Sequence, residues 1–209
     1  MNIIIIRHGE SVNNLPDISL HTEDPGLTPR GFKQARLLGE RFANWDIKID
    51  ALFSSPLLRA LRTANEISIR RDNLPVQVLH GLMEDGTDYE PMKYAEALKI
   101  CPNVMPYDEF YSDGKMNVND PYYNLGRAYN VISCIRQAFP EESSVILTAH
   151  GSFNQKLIAA ALRTSFPPDF VFSQDNTGVS VVNYSPKKEG GMVTRLKMMN
   201  DTSHLYKDN

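Results

Sequence analysis

Four consecutive isoleucines, Ile3 to Ile6, run straight into Arg7-His8-Gly9. A short, continuous β-branched run has no polar face to offer water, so it predicts a strand buried on both sides within a parallel sheet. A sheet of that kind needs helices on each face, and the downstream sequence supplies them. Leu27-Thr28-Pro29 places a capping residue before a proline, and Phe32, Ala35, Leu38 and Phe42 then recur at helical spacing as far as Trp45. Ala51-Leu52-Phe53 reads as a second strand. Ser54-Ser55-Pro56 repeats the cap-then-proline start before Leu57, Leu61, Ala64 and Ile67. Val76 to Leu79 predicts a third strand, Pro121 to Phe139 a helix of mixed periodicity, and Val145-Ile146-Leu147 another buried strand running into His150-Gly151. A helix over Phe153 to Leu162 follows. Val179 to Tyr184 and Val193 to Met199 predict a hairpin across the turn-rich Ser185 to Gly191. Strands alternating with helices imply an α/β fold, a three-layer αβα sandwich whose mostly parallel sheet carries helices on both faces.

A chain of 209 residues is long enough for one substantial core, so residues 1–209 are expected to form a single domain. The segment 85–120 breaks the alternation. It is rich in proline, asparagine and aromatics (Tyr89, Tyr94, Tyr107, Phe110, Tyr111), which leaves two readings, an irregular surface excursion or a lid over a site. The formal charge of −3 argues against nucleic acid or an anionic membrane surface as the main partner, since both recruit a net basic face. Cys101 and Cys134 have no paired spacing, and the expectation is two buried free thiols rather than a disulfide framework or a zinc site. The apolar stretch after Met1 is too short for a signal peptide and no run approaches the length of a membrane span, so the expected compartment is cytoplasmic. Oligomeric state is not legible.

The chemistry concentrates at strand ends. His8 and His150 each follow a buried strand and each precede a glycine, and in open parallel sheets ligands bind beyond the carboxyl ends of the strands. A lone histidine in such a place ordinarily donates to a backbone carbonyl, but two in matched settings point to a shared site. A third strand end brings Arg59, on the helix that starts after Ser55, where a guanidinium and a helix N-terminus can face one anion. Arginine forks match phosphate oxygens, and a neutral imidazole is a competent nucleophile toward phosphorus. Metal binding is the rival use of paired histidines. Arg7 and Arg59 would oppose a cation there, and no Asp or Glu joins the pair at ligand spacing, so no metal and no cofactor is expected.

These pieces, taken in order, resemble the histidine phosphatase superfamily, the phosphoglycerate mutase-like family. The matching runs are Arg7-His8-Gly9-Glu10-Ser11 with Asn14; Leu27-Thr28-Pro29-Arg30-Gly31 with Gln34-Ala35; Ser54-Ser55-Pro56-Leu57 with Arg59-Ala60 and Thr63-Ala64; Leu82-Met83-Glu84; and Ala149-His150-Gly151. Weaker matches are Asn176, Asn200-Asp201 and His204-Leu205. The resemblance implies His8 as the phosphorylated nucleophile, Arg7, Asn14, Arg59 and His150 as holders of the phosphoryl oxygens, and Glu84 as the proton donor. His21, His80 and His204 match no catalytic position and are expected to be surface or structural. After Glu84 the chain departs from the family, reading Asp85-Gly86-Thr87-Asp88-Tyr89-Glu90 where many relatives have a glycine, an aromatic residue, glutamate and glycine. The later glycine-glutamate-serine motif is also absent, with Pro121-Tyr122-Tyr123-Asn124 in that region.

The expected reaction is hydrolysis of a small-molecule phosphate monoester in two in-line displacements, with Arg7, Arg59 and a protonated His150 bearing the transition-state charge. Asp85 and Asp88 are the next candidates for the donor after Glu84. The aromatics between Tyr89 and Tyr111 hint at an apolar or ring-bearing leaving group, a hint that core packing explains as well. Two alternatives stand beside hydrolysis. One is a cofactor-dependent phosphoglycerate mutase, disfavoured because only Lys93, Lys99 and Lys115 lie between Glu84 and Pro121, with no arginine for a substrate carboxylate. The other is a non-catalytic binding module, whose mark would be loss of His8 or Glu84, and both are present.

Overall fold

In the computed structural model, which describes residues 1–86, 92–107, 120–164 and 172–206, the isoleucine run forms β1 (Asn2–Arg7). The other strands of its sheet are β2 (Ala51–Ser54), β3 (Val76–Val78), β4 (Ser144–Ala149), β5 (Val179–Pro186) and β6 (Met192–Asp201). They hydrogen-bond in the order β3-β2-β4-β1-β5-β6. The first four in that order run parallel, and β5 and β6 close one side as an antiparallel hairpin. Successive side chains of a strand point to opposite faces, and all four isoleucines are fully buried because each face is covered. Ile3 and Ile5 pack with Val131, Ile132, Phe153 and Leu157, from α4 (Pro121–Ala138) and α5 (Gly151–Leu162). Ile4 and Ile6 pack with Leu38, Phe42, Leu61 and Ile67, from α1 (Pro29–Ala43) and α2 (Leu58–Arg70). Complete burial of each such side chain stabilises the fold by about 1.5–3 kcal/mol.

Thr28 caps α1 as predicted, its side chain accepting from the Gly31 amide at 3.0 Å. Phe32 was expected in the core but is exposed, its ring covered instead by the Arg62 guanidinium at 5.2 Å. The start of α2 also differs. Leu57 rather than Ser55 stands at the cap position, and the Leu58 amide is taken by the Asp24 carboxylate at 2.9 Å from another loop. Within 85–120, the expectation of irregular chain fails over Tyr94–Ile100, which forms the two-turn helix α3. Tyr94 and Tyr107 meet edge to face at 5.9 Å and pack against the core, and Val104 pairs with Val76 beside β3. Tyr94 and Tyr107 therefore serve packing and give no sign of a ring-bearing leaving group. The lid reading otherwise concerns Tyr89, Phe110 and Tyr111, which lie outside the described residues. Cys101 is buried as expected, whereas Cys134 is exposed on the outer side of α4. No helix among the described residues is long and apolar enough to cross a membrane.

Candidate active site

The register of β1 against β4 sets Arg7 opposite Ala149, so the residues that follow, His8 and His150, leave the sheet side by side. Their rings lie 5.2 Å apart. His8 is buried, its amide bonded to the Ala149 carbonyl at 3.0 Å. Its Nδ1 lies 2.7 Å from the Gly9 carbonyl, a contact that places the proton on Nδ1 and leaves Nε2 as the basic nitrogen. Arg59 Nε donates to that Nε2 at 3.2 Å. Gly9 is required by close approach, because a Cβ there would sit 2.6 Å from the Gly31 carbonyl oxygen at the start of α1. Burial, then the positive charge of Arg59, hold His8 well below the ordinary imidazole pKa.

His150 Nε2 meets Ser55 Oγ at 2.8 Å, and the same oxygen accepts from the Leu57 amide at 3.3 Å just ahead of α2. Its Nδ1 is buried with no hydrogen-bond partner among the described residues. Burial and then Arg59 push His150 well below the usual range as well, which favours a neutral ring in the free site, whereas the expectation of a protonated His150 concerns the transition state.

Two cations frame the histidines. Arg7 donates through Nη1 to the Gln174 carbonyl at 2.8 Å, and its guanidinium runs so close to Gly151 that a Cβ there would lie 3.2 Å from Nε. That Nε is buried and lacks a hydrogen bond among the described residues. Arg59 occupies the first turn of α2, its Nη1 3.5 Å from Asp24, so the Asp24 carboxylate both terminates the helix and braces the arginine. Asn14 accepts through Oδ1 from the Ser11 amide at 2.9 Å and from Asn176 Nδ2 at 3.2 Å, which leaves its Nδ2 as the donor for an anion.

Glu84 reaches across to α5, where its Oε1 accepts from the Phe153 amide at 2.9 Å and from the Asp85 amide at 3.0 Å. These bonds favour the charged form, yet burial outweighs them and raises its pKa above the usual carboxylate value. Asp85 is not a free substitute donor. Its carboxylate is engaged by Lys156 at 2.5 Å, Ser152 at 2.9 Å and Arg127 at 3.3 Å. Asp88 lies outside the described residues.

Arg127 is the residue that sequence reasoning missed. It is buried in α4, donates to the Met83 carbonyl at 2.7 Å and to Asn124 Oδ1 at 2.8 Å, and stacks 3.9 Å over Phe153. It thereby holds the Met83 carbonyl on one side of Glu84 and the Asp85 carboxylate on the other. A signal existed, since Asn124 and Arg127 share the stripe of Ala128, Val131 and Ile135, where two polar side chains on an apolar face demand a partner. The weaker sequence matches also acquire places. Asn176 donates to the His8 carbonyl at 3.0 Å, and Thr177 Oγ1 meets His204 Nε2 at 3.0 Å. Thr177 sits at φ +59°, a conformation disfavoured for a β-branched residue, and its amide bonds to the Arg7 and His8 carbonyls. Of the other histidines, His21 is exposed and His80 and His204 are buried.

Arg7, His8, Asn14, Arg59 and Glu84 line one cavity of about 320 Å³, shared with Ser11, Asn13 and Glu23. His150 stands beside His8 without lining it. A second space of about 270 Å³, with Ser152, Gln155 and Ser173, lies against Arg7 and Glu84. A cavity with a neutral imidazole, two arginines and a carboxyl whose pKa burial raises is chemically suited to an oxyanion and its leaving group.

Comparison with known proteins finds the serine/threonine-protein phosphatase Pgam5, mitochondrial, of Caenorhabditis elegans at 30% identity over 210 residues, covering 98% of this chain but only 64% of that protein. The chain thus spans less than two thirds of that relative. The 2,3-bisphosphoglycerate-dependent phosphoglycerate mutase of Bartonella henselae is 24% identical over 205 residues, covering 84% of this chain and 94% of that protein. Among solved structures, phosphoserine phosphatase from Entamoeba histolytica, in complex with 3-phosphoglyceric acid, has the same fold, with a TM-score of 0.63, 22% identity and 98% of both chains covered. The match to the family model runs over residues 3–201, nearly the whole chain, and the protein belongs to the histidine phosphatase superfamily (branch 1).

Proposed function

We infer that the protein is a phosphatase that hydrolyses small phosphate monoesters through a phosphohistidine on His8, without a metal ion. The observation that carries this reading is the pair of buried nitrogens with no hydrogen bond among the described residues, Arg7 Nε and His150 Nδ1, beside a nucleophile whose Nε2 is its basic nitrogen. Buried polar atoms are normally satisfied, and phosphoryl oxygens would satisfy both. In the first step the substrate phosphoryl group takes over the Arg59 hydrogen bond, freeing the Nε2 lone pair. Nε2 attacks phosphorus, the P–O bond to the leaving group breaks, and Glu84 gives its proton to the departing alkoxide. In the second, Glu84 takes a proton from water, whose oxygen attacks phosphorus and releases phosphate and neutral His8. Arg7, Arg59 and the Asn14 amide hold the equatorial oxygens, and His150 supports them once the phosphoryl dianion offsets the burial and the positive charge of Arg59 that keep it neutral.

Two fixed guanidiniums supply the positive charge that a divalent ion gives other phosphatases, so activity is expected to survive exhaustive chelation. Release of phosphate from p-nitrophenyl phosphate by the wild-type protein, lost in His8→Ala and unchanged by chelator, is the test. Complete loss on chelation, restored by one added metal, would refute metal independence. The mutase reading predicts interconversion of phosphoglycerates that depends on the bisphosphate, and the same protein assayed with and without it separates the two. One domain over 1–209 and a reducing, cytoplasmic setting belong to this reading too, the latter supported by the exposed free thiol of Cys134.

A further inference from the structure

Among the described residues lining the reaction cavity, the charged groups are Arg7, Arg59, Glu23, Glu84 and Asp85. The phosphoryl group claims both arginines. Glu84 is held by the Phe153 and Asp85 amides, and Asp85 is neutralised by Lys156 and Arg127. That leaves Glu23, an exposed carboxylate for which the described residues provide neither hydrogen bond nor ion pair, as the one uncompensated charge at the mouth. Its neighbours there are Asn13 and Ser11. Asn13 is tied by paired bonds to Thr22, at 2.8 and 2.9 Å, and this bridge fixes the loop just before Glu23.

We propose that Glu23 is a specificity-determining residue, and that the site selects phosphate monoesters whose leaving group carries an ammonium or several hydroxyls over those carrying a carboxylate. The inference rests on the phosphatase reading above. An unpaired acid beside a phosphate pocket weakens attraction for any dianion, a cost the site recovers only when the leaving group brings a positive charge or a hydrogen-bond donor toward it. A carboxylate-bearing leaving group meets the opposite field and, among the described residues that line the cavity, no spare cation. Screened charge pairs at a protein surface each change binding by roughly 0.2–1 kcal/mol, so a substrate pair differing by two charges should be discriminated by about twofold to thirtyfold through Glu23.

Three small alkyl phosphates test it: phosphoethanolamine, glycerol 3-phosphate and 3-phosphoglycerate, whose leaving groups are cationic, neutral and anionic. The ratio of kcat/KM values is the readout, because it reports events up to transfer onto His8 and omits phosphoenzyme hydrolysis, which all three share. Wild type should prefer them in the order named. Glu23→Gln should compress the ratio of the first to the last by about fourfold, and Glu23→Lys should compress it further or invert it. Raised salt should compress the wild-type ratio in the same direction. If the three ratios are the same in wild type and both variants while His8-dependent hydrolysis proceeds, the inference is overturned and the phosphatase reading stands. If none of the three substrates, nor p-nitrophenyl phosphate, is hydrolysed in a His8-dependent way, the phosphatase reading itself fails and takes this one with it.

Discussion

At the scale of single residues the site depends on two groups moved in opposite directions by the same cause. Burial lowers the pKa of His8, which must be neutral to attack, and raises that of Glu84, which must be protonated to donate. For an alkyl phosphate, kcat/KM should therefore fall at low pH as His8 takes a proton and at high pH as Glu84 loses one. Glu84→Gln should cripple phosphohistidine formation from an alkyl phosphate, by roughly 10²–10⁴-fold, and remove the alkaline fall attributable to this carboxyl. With nitrophenyl phosphate, whose phenolate leaves unaided, the loss should be far smaller. Measurement must be made on the burst that forms the phosphoenzyme, since the proposed mechanism uses Glu84 in the second step as well. Equal losses with both leaving groups would take Glu84 out of the donor role, and Asp85, held by Lys156, Arg127 and Ser152, is too engaged to replace it.

At the scale of elements, the strand ends and the α1 cap were legible from sequence because β-branched runs and a Thr-Pro start have local physical causes. The convergence of His8 with His150 was legible as soon as both were placed at ends of parallel strands. What was not legible depends on contacts distant in sequence. Asp24 takes the Leu58 amide at the start of α2, while Ser55, the local candidate, accepts from the Leu57 amide and meets His150. Cys134 lies on the exposed side of α4, a helix whose mixed periodicity hides its orientation, and α3 forms in a stretch whose local composition favours loops. Arg127 shows what such contacts accomplish, since it ties α4 to both carbonyl and side-chain groups around Glu84. Arg127→Met should lower kcat by about tenfold or more through misplacement of Glu84. Inhibition by inorganic phosphate should change little, because Arg7 and Arg59 keep their own supports. A matched rise in the phosphate inhibition constant would instead place Arg127 in anion binding.

At the scale of the whole molecule, burying neutral imidazoles makes stability depend on pH. His8 and His150 have folded pKa values below their ordinary 6.5, so below that pH the unfolded chain binds protons that the folded chain refuses. Their contribution is complete above pH 6.5 and is lost as pH falls toward the folded values, at up to about 1.4 kcal/mol per pH unit for each ring. Glu84 acts in the opposite sense, since its folded carboxyl takes a proton above the unfolded value of 4.5. Urea midpoints taken between pH 7 and 5 should decline, and His8→Gln should remove roughly half of the histidine contribution. An unchanged slope in that variant would mean that His8 is not held neutral by burial. All of this converges on whether His8 carries the phosphoryl group during turnover. The direct measurement is a rapid quench under alkaline conditions with labelled substrate, followed by mapping of the label by mass spectrometry. The account predicts acid-labile label on the peptide containing His8, formed at the rate of the burst and absent from His8→Ala. Label on His150 or another residue, or steady-state hydrolysis by folded His8→Ala, would contradict it.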